Sequence, residues 1–168
     1  RSGSSAGDAA PSHDELAELV RAASRVADHS SLRPWRLIEL RGGARERLGA
    51  ALAEAAGDDS PSTKPLRSPL LLAVVFSPRP SFKVPAWEQE AVASGVAHAM
   101  TLLLDEAGWA VLWRTGIHTR SEPVANMHDL APGEQLLGWL YIGARKDKPG
   151  KIKSKKSVDP NTVLSVLA

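Results

Sequence analysis

The sequence predicts an α+β (α/β layered) domain, because predicted helices and strands alternate along the chain around a mostly apolar sheet. A continuous apolar run, Leu70–Phe76, has the length and character of a strand buried on both faces. Residues Trp87–Ala107 contain no proline and one glycine, Gly95, which predicts a helix about 30 Å long. The middle of this helix is small and apolar nearly all round, so we expect it to be buried.

The elements before the apolar run each have a local signal. Ser12 and Glu15 form a capping box, and apolar residues follow at helical spacing, which predicts a helix over residues 12–27. Pro34 ends any helix, and Trp35–Leu40 predicts a strand. A glycine turn then leads into an alanine-rich segment, residues 44–56, which is predicted to be helical.

Two further strands are predicted after the long helix. Gly108 ends that helix, and Trp109–Trp113 predicts a short apolar strand. Residues 121–128 predict one or two helical turns, and Gln135–Ile142 predicts the last strand. The sequence does not indicate the order of the strands within the sheet.

Composition restricts the chemistry that the protein can use. The 168 residues include no cysteine, which excludes a disulfide scaffold, a thiolate zinc site, an iron–sulfur cluster and a catalytic thiol. No apolar run approaches the roughly 18 residues of a membrane span, so no membrane association is expected. The five histidines lack the spacing of a zinc hydrolase, and no phosphate-binding glycine motif occurs. We therefore expect a cytoplasmic protein without a metal site, in which any difficult chemistry belongs to a cofactor.

Positive charge is concentrated near the C-terminus. Residues Arg145–Lys156 hold seven basic side chains and one acid, and the rest of the chain carries 14 basic and 18 acidic side chains, a net charge of −4. Such runs are usually solvated connectors, so no nucleic-acid partner is expected. The last residues, Val163–Leu167, are apolar again, which favours docking of the tail on its own body or on a partner.

Three polar segments are candidates for ligand binding. Residues Asp28–Trp35 offer His29 and Arg33 as donors, although alone they are explained by a capped helix end. Residues Trp113–Gly116 follow the third strand, where α/β folds collect ligands, although alone they fit an ordinary turn. Residues Lys83–Glu90 open the long helix, where acidic side chains suit the helix dipole.

Taken in order, these segments resemble the FMN-dependent nitroreductase superfamily, and within it the short single-domain NAD(P)H nitroreductases. The resemblance extends from Arg1 to about Gly143. The residues that carry it are Arg1-Ser2, Ala27-Asp28-His29 with Pro34-Trp35, Lys83-Val84-Pro85 with Trp87–Glu90, and Gly108 with Trp113–Gly116. The resemblance implies a nitroreductase-like fold, in which helices flank a mainly antiparallel sheet and a long buried helix is central. Residues 1–144 would form one FMN-binding domain, and residues 145–168 a basic arm that packs on a partner subunit.

The resemblance also implies a homodimer with two FMN sites, each lined by both chains. Arg25 and His29 would contact FMN from the other subunit, and the family's first arginine would precede residue 1. Guanidinium groups suit the phosphate of FMN, because their planar fork can bind two oxygens at once. The FMN-binding residues that the resemblance implies are Arg1, Ser2, Arg25, His29, Trp113, Arg114 and Thr115.

The implied activity is that of an FMN-dependent oxidoreductase. Hydride would pass from NAD(P)H to flavin N5 and then to a nitroaromatic or quinone-like acceptor, in ping-pong order. Such chemistry requires no catalytic side chain, and the sequence contains no nucleophile–base–acid arrangement. Two alternatives stay open, namely a protein that sequesters FMN with little or no turnover, and a non-enzymatic protein whose basic arm binds an acidic partner.

Overall fold

The computed structural model describes residues 9–145 and 157–167. Arg1, Ser2 and most of the basic segment lie outside the described residues. Helices and strands alternate as the sequence predicts. They are α1 (His13–Ala23), β1 (Trp35–Leu40), α2 (Gly43–Ala56), β2 (Leu70–Phe76), α3 (Ala86–Glu106), β3 (Trp109–Arg114), α4 (Glu122–Met127) and β4 (Gln135–Ala144).

The four strands form one sheet in the order β1-β2-β4-β3, and every neighbouring pair is antiparallel. The two central strands, β2 and β4, are apolar almost throughout because both of their faces are covered. All seven residues of β2 are buried, which confirms the interpretation of the apolar run. The sheet and its flanking helices confirm the predicted α+β class.

The sheet separates two apolar cores, because successive side chains of a strand point to opposite faces. Leu72 and Val74 of β2 belong to the core on the side of α1 and α3. Leu71 and Ala73 belong to the core on the side of α2 and α4. The described part of the chain therefore has three layers, with the sheet in the middle and two α-helices on each side.

Helix α1 ends earlier than predicted, at Ala23 rather than at residue 27. The hydroxyl of Ser24 donates to the carbonyl oxygen of Arg21 at 2.8 Å, and the next amides bond three residues back instead of four. Such local bonds compete with the helical pattern. As a result, Arg25 and His29 lie beyond the end of α1, on the connection to β1. A short 3₁₀ helix, His29–Ser31, occupies part of this connection.

Helix α3 is 21 residues long and packs against the sheet and α1 through one side. Its buried residues include Val96, Ala97 and Met100. The single chain leaves the opposite stripe of α3 accessible to solvent. That exposed stripe consists of Trp87, Ala91, His98 and Leu102, with the half-buried Gly95 between Ala91 and His98. Counting Gly95, successive positions of the stripe are three or four residues apart.

The described part of the C-terminal tail does not bury its apolar side chains in the single chain. Exposed apolar residues are Val158, Val163, Leu164, Val166 and Leu167. Within residues 9–145 and 157–167, no helix combines the length and apolar character that would let it span a bilayer.

Candidate functional site

A cavity of about 650 Å³ lies between the connection after α1 and the first half of α3. This volume is within the range of small-molecule sites. The lining is mostly apolar, with three ionisable side chains at one end. The residues that line it are Val26, Ala27, Asp28, His29, Glu88, Ala91, Val92 and Gly95.

The connection that carries His29 has an unusual backbone. Ser30, Ser31 and Arg33 have φ angles of 62°, 51° and 48°, in the left-handed region that residues with a Cβ rarely adopt. The carboxylate of Asp28 accepts hydrogen bonds from the amides of Leu32, at 3.2 Å, and Arg33, at 2.8 Å. Strained backbone of this kind persists where its surroundings hold it, and it is concentrated at functional sites.

His29 is paired with a residue 59 positions away in the chain. Its Nδ1 lies 2.7 Å from Oε1 of Glu88, in the first turn of α3. The two side chains are 39% and 30% exposed, so the pair lies at the mouth of the cavity rather than in the core. A carboxylate accepts hydrogen bonds, so Nδ1 carries the proton, and Nε2 is the ring nitrogen left for another partner.

Gln89, next to Glu88, is buried and fixes the start of α3. Its amide nitrogen donates to the carbonyl oxygens of Arg79 and Val84, both at 3.0 Å. Its side-chain oxygen accepts from the amide of Arg79 at 2.8 Å. The glutamine in the sequence motif therefore has a structural role, because it ties the preceding loop to the helix that presents Glu88.

A second group of candidate residues lies at the end of β3. The indole of Trp113 donates to the carbonyl oxygen of Leu137 at 3.2 Å. That carbonyl belongs to a bulge in β4, where Val74 of β2 pairs with Gly138 and the next residue of β2 pairs with Leu136. Bulges redirect side chains at the ends of strands, and here the extra residue provides the acceptor that holds Trp113.

Gly138 is required by this arrangement. Its φ angle is +122°, and a Cβ on it would lie 2.3 Å from the carbonyl oxygen of Arg114 and 2.9 Å from the indole nitrogen of Trp113. A methyl group of Thr115 would be 3.1 Å away. A side chain at position 138 would thus displace Trp113, Arg114 and Thr115, three of the residues that the resemblance implies as cofactor ligands.

The guanidinium of Arg114 lies over the ring of Tyr141, with 5.3 Å between its central carbon and the ring centroid. Burial raises the pKa of Tyr141, and the positive charge of Arg114 acts in the opposite direction. Arg114 is itself exposed at the strand end. The tyrosine therefore orients the cation from one side through a cation–π contact and leaves the other side accessible.

The connection after α1 and the end of β3 contact α3 at neighbouring positions. Val26, beside Arg25, lies 3.9 Å from the position of a Cβ on Gly95, and the ring of Trp113 contacts the ring of His98 edge-on at 5.0 Å. Positions 95 and 98 are neighbours on a helix surface. Among the described residues, no hydrogen bond or ion pair joins Arg25 or His29 to Arg114, and no cluster of three metal-ligating side chains occurs.

Residues 6–144 match the sequence model of the Nitroreductase family. The chain belongs to this family. The predicted resemblance is thereby confirmed over most of the chain.

Two curated Nitroreductase relatives are similar in sequence. Escherichia coli strain K12 has a protein named "Putative NAD(P)H nitroreductase YdjA" that is 34% identical over 151 residues, with 85% of this chain and 82% of that protein covered. Haemophilus influenzae has a "Putative NAD(P)H nitroreductase" that is 23% identical over 148 residues, with 83% and 80% covered.

Solved structures confirm the Nitroreductase fold. A nitroreductase-like family protein from Bacillus cereus has a TM-score of 0.82 at 20% identity, covering 99% of this chain and 91% of that one. A variant of the FMN and NADPH-dependent nitroreductase NfnB from Sphigopyxis sp. strain HMH has a TM-score of 0.80 at 17% identity, covering 100% and 95%. At these identities the likeness establishes the fold, and the predicted site residues stay predictions.

Two residues of the candidate site were missed by sequence reasoning. In the sequence, Glu88 is explained as an acidic residue in the first turn of a helix, where it suits the helix dipole. No local sequence pattern indicates that His29 is its partner. Gly138 has a signal that could have identified it, since a glycine inside an apolar strand often marks a bulge. Arg1 and Ser2 lie outside the described residues, so their predicted contacts remain expectations.

Proposed function

We propose that the protein is an FMN-dependent oxidoreductase that takes electrons from NAD(P)H and passes them to a nitroaromatic or quinone-like acceptor. Membership of the Nitroreductase family over residues 6–144 carries the proposal. Two relatives are named as NAD(P)H nitroreductases, and a solved structure of the same fold is named as an FMN and NADPH-dependent nitroreductase. These names support this cofactor and this donor. A cytoplasmic location is part of the proposal.

The chemistry of the available donors suits FMN, which brings a phosphate dianion and a flat ring with a polar edge. Among the described residues, the guanidinium of Arg25 takes part in no ion pair, and that of Arg114 contacts only an aromatic ring. Cations without a carboxylate partner at a site are those left to bind an anion. We assign Arg25 and Arg114, together with Arg1 and Ser2, to the phosphate and ribityl end of FMN.

The remaining candidates suit the ring of the cofactor. Nε2 of His29 is free to meet a polar group of FMN, and Trp113 and Thr115 line the strand end beside Arg114. When bound, FMN would supply the hydride chemistry at N5, first from NAD(P)H and then toward the acceptor.

The proposal includes a homodimer. The exposed stripe of α3 places Trp87 and Leu102, which are 72% and 70% exposed, on the same side of the helix as the small Ala91. An apolar stripe repeating every three to four residues is the pattern that helices bury against one another. A second copy of the chain would cover this stripe. It would also bring its own Arg25 and His29 toward Arg114, to which no described contact joins them within one chain.

We assign residues 1–144 to the FMN-binding domain and residues 145–168 to an arm on the partner subunit. The apolar end of the arm, Val163–Leu167, is exposed in the single chain, which supports a partner as its docking surface. Binding to an apolar surface of a second copy would bury side chains that otherwise face water.

The visible spectrum of the purified full-length protein tests the activity. We expect flavin absorbance bands after incubation with FMN and desalting, bleaching of those bands by NAD(P)H without oxygen, and their return when a nitroaromatic is added. A protein that retains no FMN would contradict the proposal. Bound FMN that NAD(P)H cannot bleach would instead favour the FMN-sequestering alternative.

A further inference from the structure

We propose that Glu88 is a positioning residue for His29 and, through it, for the bound flavin nucleotide. The inference rests on the proposed function, and it goes beyond the residues that the resemblance assigns to FMN. It starts from the 2.7 Å contact between Nδ1 of His29 and Oε1 of Glu88 at the mouth of the cavity.

The contact fixes which ring nitrogen of His29 faces FMN. The two nitrogens of a neutral histidine are a donor and an acceptor, and without a partner the proton exchanges between them. A carboxylate on Nδ1 holds the proton there and stops rotation of the ring, as outer partners of metal-bound histidines do. Nε2 of His29 then presents one constant hydrogen-bonding character to the cofactor.

Both ends of this pair are held rigidly. Glu88 lies in the first turn of α3, and its neighbour Gln89 is buried and makes three hydrogen bonds to the preceding loop. His29 starts a short 3₁₀ helix whose strained continuation is held by the carboxylate of Asp28. Side chains of a binding site need such fixed supports, because small displacements weaken the contacts they make.

Contribution to stability does not explain the pair. Both side chains are partly exposed, and exposed polar pairs, whether charged or neutral, add little to the free energy of unfolding. A second pair of the same type, His13 with Glu39, occurs on the molecule, but it does not line the cavity. The position of the His29–Glu88 pair, on the cavity wall beside a strained backbone, therefore points to ligand positioning.

A set of four variants tests the inference through FMN affinity, measured by quenching of flavin fluorescence. E88A is expected to weaken FMN binding about tenfold, the lower end of the effect that removing such an outer partner has elsewhere. E88Q keeps an oxygen that can accept from Nδ1–H and should stay within about threefold of the wild type, since geometry is preserved. H29A should weaken binding at least as much as E88A, and the double variant no more than H29A, because coupled residues are not additive.

The pair of His13 with Glu39 provides the control, since it has the same chemistry and does not line the cavity. E39A should bind FMN like the wild type. An E88A variant that binds FMN as tightly as E39A, or whose effect adds fully to that of H29A, would overturn the inference.

Histidine ¹⁵N spectra of the FMN-free protein give a second readout. The wild type should show the proton of His29 on Nδ1, and E88A should shift it toward Nε2. Unchanged ring shifts in E88A would overturn the inference. A wild type with the expected spectrum that fails to bind FMN would instead overturn the proposed function, so the two failures are distinguishable.

Discussion

The indole N–H of Trp139 donates to Nε2 of His128 at 3.0 Å, and both residues are buried. The other ring nitrogen, Nδ1, lies 2.7 Å from the carbonyl oxygen of Val124 and donates to it. The histidine is therefore neutral, with its proton on Nδ1. This pair joins α4 to β4 and closes the core on the side of the sheet opposite α3.

His128 is expected to make the fold acid-sensitive. Burial lowers the pKa of His128 below its ordinary value of 6.5, the carbonyl of Val124 opposes the change, and the charge of Arg36 adds to it. Below pH 6.5 the unfolded chain binds a proton that the native state does not. The free energy of unfolding therefore decreases as the pH is lowered. Urea unfolding between pH 7.5 and 5 should show a steeper loss in the wild type than in H128Q. Equal slopes would contradict this role.

The carboxylate of Glu134 should stabilise the fold at neutral pH. Arg36 donates to both of its oxygens, at 2.8 and 2.7 Å, and these bonds lower the pKa of Glu134 from 4.5 to about 2. The stabilisation is present above pH 4.5 and is lost as the pH falls toward 2. E134Q should lower the free energy of unfolding by about 2 kcal/mol at pH 7, with the difference from wild type shrinking in acid. E122Q, at an exposed acid, is the control.

Substitution of Gly138 should affect both stability and cofactor binding. G138A forces a left-handed alanine and places its Cβ 2.3 Å from the Arg114 carbonyl oxygen. We expect a loss of at least about 2 kcal/mol in thermal unfolding, together with weaker FMN binding. Gly133 has a φ of +86° but open space around it, so G133A isolates the conformational effect. Equal losses in the two variants would show that the close approach to Arg114 has no consequence.

The proposed dimer predicts that a charge on the exposed stripe of α3 is disruptive. Ala91 is exposed in the single chain, so A91E should leave an isolated subunit folded. Buried between two copies, an unpaired carboxylate is strongly unfavourable, and sedimentation should detect a shift toward monomer. Ala50 on α2 is also exposed, and A50E is the matched control. A monomeric wild type, or an A91E variant that remains dimeric, would contradict the proposed arrangement.

The strands could be predicted from the sequence almost to the residue. Trp35–Leu40 and Leu70–Phe76 have the predicted bounds because proline, glycine and polar residues flank clear apolar runs. The end of α1 could not be predicted, because the apolar spacing gives no sign of the bond from the Ser24 hydroxyl to Arg21 or of the three-residue amide bonds that follow it. The strand order could not be predicted either, because the pairing of β2 with β4 joins segments more than 50 residues apart.

The candidate site was also predictable only where local sequence signals mark its residues. His29 and Arg114 stand beside turn residues at the ends of elements, and that local signal marks them as candidates. The carboxylate that pairs with His29 and the bulge that holds Trp113 arise only when distant segments meet. Local sequence patterns carry no information on contacts between distant segments, so the tertiary structure was needed to find Glu88 as the partner of His29.

The left-handed φ angles of Ser30, Ser31 and Arg33 bear on how this protein would respond to laboratory evolution. Glycine adopts that conformation without steric penalty, so glycine at these positions would relieve local strain, while its greater freedom in the unfolded chain would offset part of that gain. Glycine should therefore be tolerated there under selection on thermal tolerance alone. The same changes would soften the segment that carries His29, and heat resistance and ligand retention would then diverge.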